Sequence, residues 1–453
     1  MRNLFLTSVL ALGVIACTGK DDDTGVADDT DTTDTPTTGS DQIENLDAQV
    51  SDTIVTVATV TFTTTEAATA HVEYGFDDSF GFTTPESAAA GTDHAFPLMG
   101  LTGSTEVYYR VVLDSGETSG TKTVTTGTLP NDLPEFSVEG SGHDGWMVFP
   151  LIGAVVAPVI VDSDGNIVWY WLDDRGLDVY RVKLSLDGES VLYNAAVVSG
   201  DPSPDSAIVR VSLDGQTEST IPITLLAHDF VEVSDGVFGA LVYEFRDDGE
   251  GGEVKGNKVI EVTADGTETT IWSAWDCYDP NVETGDDPEL GWTFTNALDY
   301  DPVEDVYYVG FRNFSSIVKV DRATGACEWG LGGDAETMDI DGDPFVHQHQ
   351  FEVTGDTVIV FDNEGSGGLE ARAVEYAIDP EGGTAEEIWS YQPDPPVQSF
   401  VLGDVSRMDN GDTLVTWSVA GQINRAGTDW QLNSEIGYAF GFNTYTPDLY
   451  LAR

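Results

Sequence analysis

Positive charge is what this 453-residue sequence has least of: 18 Lys and Arg stand against 80 Asp and Glu, a formal net charge of -62. No basic patch exists to neutralise phosphates, which excludes nucleic acid as a partner. So strong a field also repels anionic substrates, and self-repulsion of this size fits a high-salt setting where it is screened. An anion site here has to rest on local donors and a local arginine. Cysteine is scarce as well, three in all. There is no CxxC pair and no zinc-ligand set. Helical periodicity is nearly absent. The one extended apolar run, Leu4 to Ala16, is too short for a permanent membrane span.

That run follows Met1-Arg2-Asn3 and reads as the apolar region of a secretory signal. It ends in Val14-Ile15-Ala16-Cys17, which resembles the bacterial lipobox. The resemblance implies a signal peptide over 1–17, lipid on Cys17 and attachment to a membrane. Thr18, with no Asp after the cysteine, favours the outer membrane or cell surface. Residues 18–42 are rich in Asp and Thr and carry too little apolar surface to offset their ordering entropy, so they are expected to be a solvated tether. Export allows one disulfide between the two remaining cysteines, Cys277 and Cys327.

Strand signals dominate the rest. Residues 43–129 form a first unit, expected to be a small β-sandwich. Ile54 to Phe62 alternates well, Ala70 to Tyr74 is a second strand, and Leu101 to Val112 leads into a third. Leu101, Thr105 and a tyrosine leading into the strand, in Tyr108-Tyr109, resemble the corner of fibronectin type III domains, where a tyrosine hydroxyl satisfies loop backbone. His71 and His94, in this unit, read as structural or exposed. Leu129-Pro130-Asn131-Asp132-Leu133-Pro134 is the boundary.

From 135 to 453 two turn phrases alternate. The first is a strand, a glycine turn and a strand often ending in Trp: Val161 to Trp169, Val211 to Gly215, Val262 to Trp272, Val320 to Trp329, Ile378 to Trp389, Ile423 to Trp430. The second interleaves with it at Leu186 to Gly188, Ser234 to Gly236, Pro302 to Asp305, Thr354 to Asp356 and Asn410 to Asp412; Gly145-Trp146 is a candidate further copy. Two hairpins per repeat, about six times over, predict an all-β chain with a six-bladed β-propeller behind the sandwich. The Trp residues after the turns are expected to be core.

Propeller inner strands begin at the mouth of a central channel, so polar residues at their starts can meet. Three of the six histidines fall in that register, in Ala227-His228-Asp229-Phe230 and His347-Gln348-His349-Gln350, with Phe294-Thr295-Asn296-Ala297 beside them. The segments Leu298 to Asp301, Phe311 to Asp321, Gly325, Glu328 to Gly333, Gln348-His349 and Val358 to Asn363 resemble the signature run of bacterial aryl-sulfate sulfotransferases. The resemblance covers 135–453 and is densest between Gly291 and Asn363.

That family is a six-bladed propeller that moves a sulfuryl group between phenols without a nucleotide donor, through a sulfohistidine. By resemblance His349 is the nucleophile, and Arg312, His228 and Asn296 are the remaining site residues. The partners implied are a small phenolic sulfate and a phenol acceptor. Phe294 stands where the family has a second histidine. No cofactor and no metal is expected; the alternative is calcium at Asp339, Asp341 and Asp343, which alternate around Gly342 but lack the downstream bidentate glutamate. His143 receives no role. The competing function is a surface propeller that binds a ligand or protein without turnover.

Overall fold

Strands that must be buried on both faces read as continuous apolar runs, and strands with one wet face alternate. Both kinds are present. The computed structural model describes residues 39–197, 202–283, 285, 290–364, 370–435 and 437–450. The signal segment, Cys17 and the tether as far as Thr38 lie outside the described residues.

The alternating strands come first. Ala58–Ala68 buries every second residue over its first seven, and Glu106–Leu113 does so throughout. They belong to two sheets: Ile43–Val50, Ala58–Ala68 and Gly91–Leu98 in one, and Phe82–Thr83, Ala70–Gly75, Glu106–Leu113 and Lys122–Thr125 in the other. Between them lie Val60, Phe62, Val72, Tyr74, Val107 and Tyr109. The strand register turns Tyr108 outward, where its hydroxyl donates to the Glu106 carboxylate at 3.2 Å. The hydroxyl that meets loop backbone is instead that of Tyr74, which donates to the Met99 carbonyl at 2.9 Å.

The continuous runs form six further sheets of four or five strands. Ser190–Ala195 and Val306–Phe311 are buried at every position because each lies between neighbouring sheets. Blade 2 runs Val182–Leu184, Ser190–Ala195, Ala207–Ser212, Glu218–Pro222 from the hub outward. Blades 3, 4, 5 and 6 start at the hub with Leu226–Ser234, Thr295–Asp301, Phe351–Thr354 and Asp404–Arg407. Blade 1 takes its innermost pairing from the C-terminal end: Ala439–Phe440 and Thr444–Thr446 pair with Trp146–Ile152. Blade 6 gains Phe136–Glu139 on its outer edge, against Gln431–Ser434. The two ends of the propeller are thus tied into blades 1 and 6. Gly145-Trp146 opens the second strand of blade 1, so no turn phrase precedes it as in the other blades.

Both recurring turn phrases fall at one face. The second joins the innermost strand of a blade to the next, and the first joins the third to the fourth. The innermost strands therefore start at the opposite face. Trp169, Trp272, Trp329 and Trp430 are buried, as expected of core, and Trp389 is partly buried.

A buried arginine bridging two aspartates closes the ring. Arg181 of blade 2 donates through Nε to Asp229 of blade 3 at 3.0 Å and through Nη1 to Asp404 of blade 6 at 3.2 Å. Asp229 also accepts the Leu298 backbone N–H from blade 4 and the Gln350 amide from blade 5, each at 3.0 Å. Ser406 of blade 6 donates to the Asn443 carbonyl at 3.1 Å, joining blade 6 to the C-terminal end. With the Arg181 and Asp229 charges removed from water, losing either partner leaves the other uncompensated, at about 3–5 kcal/mol.

The sandwich and propeller pack together within one compact unit, Gly39–Arg453. Thr56 donates to the Val168 carbonyl at 2.8 Å, and Ile54 and Val57 sit in the core of blades 1 and 2. Tyr450, from the C-terminal end, donates to Pro97 at 2.6 Å and accepts the Met99 N–H at 2.9 Å.

A disulfide joins Cys277 and Cys327. It fastens the segment after the outer strand of blade 3 to the outer strand of blade 4. Asp339–Asp341 adds a parallel strand to the outer edge of blade 5. The Asp343 carbonyl accepts from Arg372 and Tyr376. Among the described residues no group of three or more His, Cys, Asp or Glu side chains is placed to hold a metal ion.

Candidate active site

The lead-ins to the innermost strands share an unusual backbone. Leu225, Phe294, His347 and Leu402 all adopt positive φ, between 42° and 63°, just before blades 3, 4, 5 and 6. A non-glycine residue held there costs on the order of 1 kcal/mol and persists only where its surroundings over-determine it. Each such kink comes shortly before an innermost strand, and it delivers the residues that follow to the hub. His228 comes three positions after Leu225, Asn296 two after Phe294, and His349 two after His347.

His349 is 2 % exposed and fully hydrogen bonded. Its Nδ1–H donates to Asn363 Oδ1 at 2.7 Å, and its Nε2 accepts the Leu402 backbone N–H at 3.1 Å. A backbone N–H can only donate, so Nε2 carries the lone pair and Nδ1 the proton. Asn363 is itself oriented by donating to the carbonyls of Ser399 at 2.6 Å and Leu402 at 2.7 Å. Burial, opposed by the Asn363 bond and helped by the nearby Arg312 charge, pulls the His349 pKa down to about 3. The imidazole is neutral at pH 7.

The other residues gather around Phe294. The ring of His228 meets that of Phe294 edge-on at 4.9 Å, and Tyr180 lies 5.8 Å away on another side. His228 bonds to the backbone of Thr295, while its Nδ1 is buried with no hydrogen-bond partner. Desolvation first, then the charges of His349 and Arg312, hold His228 well below the usual histidine range. The Arg312 guanidinium sits 6.0 Å over the Phe294 ring, and its Nη1 donates to Asn313 Oδ1 at 2.8 Å. Asn296 donates to the Gln348 carbonyl at 2.7 Å, and its Oδ1 is buried without a partner.

All four residues singled out in the sequence therefore converge on one end of the hub. His347 does not replace the histidine lost at Phe294, because its Nδ1 turns to Glu364 at 3.0 Å. Two contributors escaped sequence reasoning. Asn363 was only the last residue of a matched run, and the Leu402 N–H is backbone with no signature of its own. Gly403 was the available signal: a Cβ there would overlap the Phe361 ring, and its φ is 113°.

Residues 155–437 match the family model described as Arylsulfotransferase (ASST), well over half of the chain. The chain belongs to the arylsulfotransferase family. No curated protein matches it. Solved structures with a similar trace include a chain of a nidogen/laminin complex, 10 % identical, covering 66 % of this chain and 97 % of that one at a TM-score of 0.41. The β-propeller domain of Cps50 (Swd1) from Myceliophteria thermophila is 11 % identical over 70 % of this chain and 90 % of its own, with a TM-score of 0.41. The periplasmic gluconolactonase PpgL of Pseudomonas aeruginosa is 12 % identical, covering 84 % and 99 %, with a TM-score of 0.39. The arylsulfotransferase match falls on the propeller and includes His228, Asn296, Arg312 and His349.

Proposed function

We propose that this arylsulfotransferase carries a sulfuryl group from an aryl sulfate ester to a phenol by way of His349. The observation that supports this best is the fixed neutral tautomer of His349: Asn363 Oδ1 accepts a hydrogen bond from Nδ1–H, which keeps the proton there and the lone pair on Nε2. Neutral imidazole is a competent nucleophile near neutral pH. In the first step Nε2 attacks sulfur, an N–S bond forms, the S–O bond to the phenol breaks, and the phenolate takes a proton from water. In the second step the acceptor phenol attacks sulfur and the N–S bond breaks. His228 Nδ1, unpartnered in the resting site, accepts the phenol proton and then releases it to water.

Attack requires the Leu402 N–H to leave Nε2. That bond is worth about 1 kcal/mol net, and a sulfuryl oxygen offers the same donor a charged acceptor. Leu402 thus turns from a cap on the nucleophile into a donor to the transferring group. Arg312 opposes the charge that spreads over the sulfuryl oxygens. Phe294 supplies an apolar wall beside His228 where the aromatic ring of donor or acceptor would pack.

The same cap on Nε2, together with Phe294, favours the second reading, a propeller that binds aryl sulfates without turning them over. Incubation with a phenol acceptor and several aryl sulfates separates the two. Turnover predicts phenol release that vanishes in His349→Ala. Thermal stabilisation by aryl sulfates with no released phenol from any donor selects the binding protein instead.

The lipid on Cys17, residence in the outer membrane and the fibronectin type III-like identity of residues 43–129 belong to the same proposal: a tethered, exported enzyme with a sandwich docked on its propeller. Release of the chain from membranes by detergent but not by high salt would support the lipid.

A further inference from the structure

The hub has a cavity, of about 230 Å³, beyond the Arg181–Asp229 pair. Glu352 lies three residues along the chain from His349, and Asp299 three from Asn296, which is about 10 Å along extended strands. The cavity therefore opens toward the face that carries the glycine turns, away from the histidines.

Charges of both signs face it. Lys183 of blade 2 stands with Asp299, Glu352 and Asp404 of blades 4, 5 and 6. No hydrogen bond or ion pair within 4 Å is made by Lys183 Nζ among the described residues, although the charges of Asp229, Asp299 and Asp404 act on it. Asp299 Oδ1 accepts the Tyr300 N–H, and Glu352 Oε2 accepts the Arg407 N–H, so each carboxylate keeps an oxygen for another donor. Asn443 lines the same cavity and is 2 % exposed, yet neither atom of its carboxamide has a partner. A buried amide without partners costs about 1–3 kcal/mol unless something fills the space and bonds to it.

We infer that this cavity is a binding site for a small zwitterion of the amino-acid class. The ligand's carboxylate meets Lys183 and the Asn443 amide N–H. Its ammonium meets Asp299, Glu352 and the Asn443 carbonyl oxygen. A cation alone would leave Lys183 unsatisfied and repelled, and an anion alone would face the carboxylates. The local charge balance agrees. Burial raises Glu352 to about 7 and Asp404 to about 8, so near neutral pH both carry protons much of the time. Desolvation lowers Lys183 and raises Asp299, each opposed by the other's charge, and a ligand that brings one charge of each sign and no net charge would favour the charged form of both.

The test is calorimetric titration of the full chain at pH 7 with glycine, and separately with methylammonium and with acetate. The expected result is one saturable glycine site per chain, with either half-ligand weaker by about tenfold or more. Lys183→Met and Asn443→Leu each weaken glycine by a similar factor, and neither changes aryl-sulfate turnover. The wild-type comparison needs no variant, so a variant that does not fold leaves the test intact. Absence of saturable glycine binding in the millimolar range overturns the inference. So does acetate or methylammonium binding as tightly as glycine, or unchanged affinity in folded Lys183→Met.

Discussion

The two ends of the hub are built from the same six innermost strands and solve opposite electrostatic problems. At one end His228 and His349 are buried and held neutral, with one guanidinium nearby. At the other, Arg181, Lys183, Asp229, Asp299, Glu352 and Asp404 crowd together, and burial keeps protons on the last two. The difference teaches where this acidic chain places its few basic residues. Long-range repulsion of anions is offset by Arg312 at the histidine end, while Arg181 is committed to holding five blades in register.

Breaking the histidine end should give the largest effect. His349→Ala is expected to lower aryl-sulfate turnover by about 10³-fold or more, with a lowered thermal midpoint, since the Leu402 N–H and Asn363 Oδ1 lose their partner. Initial-rate assays beside a melting curve check both halves. Next, Arg181→Met should cost about 3–5 kcal/mol in stability, read by denaturant unfolding, because Asp229 is left as a buried charge without its partner. Turnover measured where the variant is still folded should fall far less than in His349→Ala. Equal losses in both assays would show that the two ends are not separable.

Arg312→Ala is expected to slow kcat by about 10²-fold, or ~3 kcal/mol of transition-state stabilisation. Phe294→His would restore the histidine that the family resemblance places there, and about a tenfold rise in kcat is expected, with a new acid limb in the pH–rate profile. No change in either would make Phe294 a feature of the ring pocket alone.

The smallest effects sharpen the comparison by sign. His349 has a lowered pKa, so the unfolded chain binds more protons between pH 6.5 and about 3, and this end loses stability as pH falls through that window. Glu352 and Asp404 have raised values, so the folded chain binds more protons, and that end loses stability as pH rises toward 7 and 8. The windows overlap between about pH 4 and 6.5, so chemical unfolding across pH should place the maximum on the acid side, near pH 4 to 4.5. Asp404→Asn should weaken the loss above that maximum, and His349→Gln the loss below it.

Much of this was legible in the sequence because it is written in backbone chemistry. Glycine turns at fixed intervals mark hairpins whatever surrounds them, which is why the blades could be read from Asp214-Gly215 or Asp265-Gly266 alone. The convergence of His228, Asn296 and His349 followed from register in repeated strands, and Arg312 came from the family resemblance. What sequence reasoning missed depends on contacts between distant segments. Nothing local says that Leu402 presents its N–H to His349, or that the C-terminal strands complete blade 1. The corner motif did not say which tyrosine hydroxyl meets loop backbone, because side-chain facing is left to strand register, which turned Tyr108 to solvent and Tyr74 to the Met99 carbonyl. The charged far end was invisible for the same reason: in a chain with 80 acidic residues, Asp299 and Glu352 look like surface.

The most direct test of the account is to trap the covalent step. The protein is mixed with an aryl sulfate in the absence of acceptor, digested under alkaline conditions that preserve phosphoramidate-like N–S bonds, and its peptides are weighed. The account predicts one sulfuryl group on the peptide that holds His349, absent from His349→Ala and discharged when a phenol is added. Phenol transfer at full rate with the sulfuryl group on another residue, or with none on the protein, would contradict it.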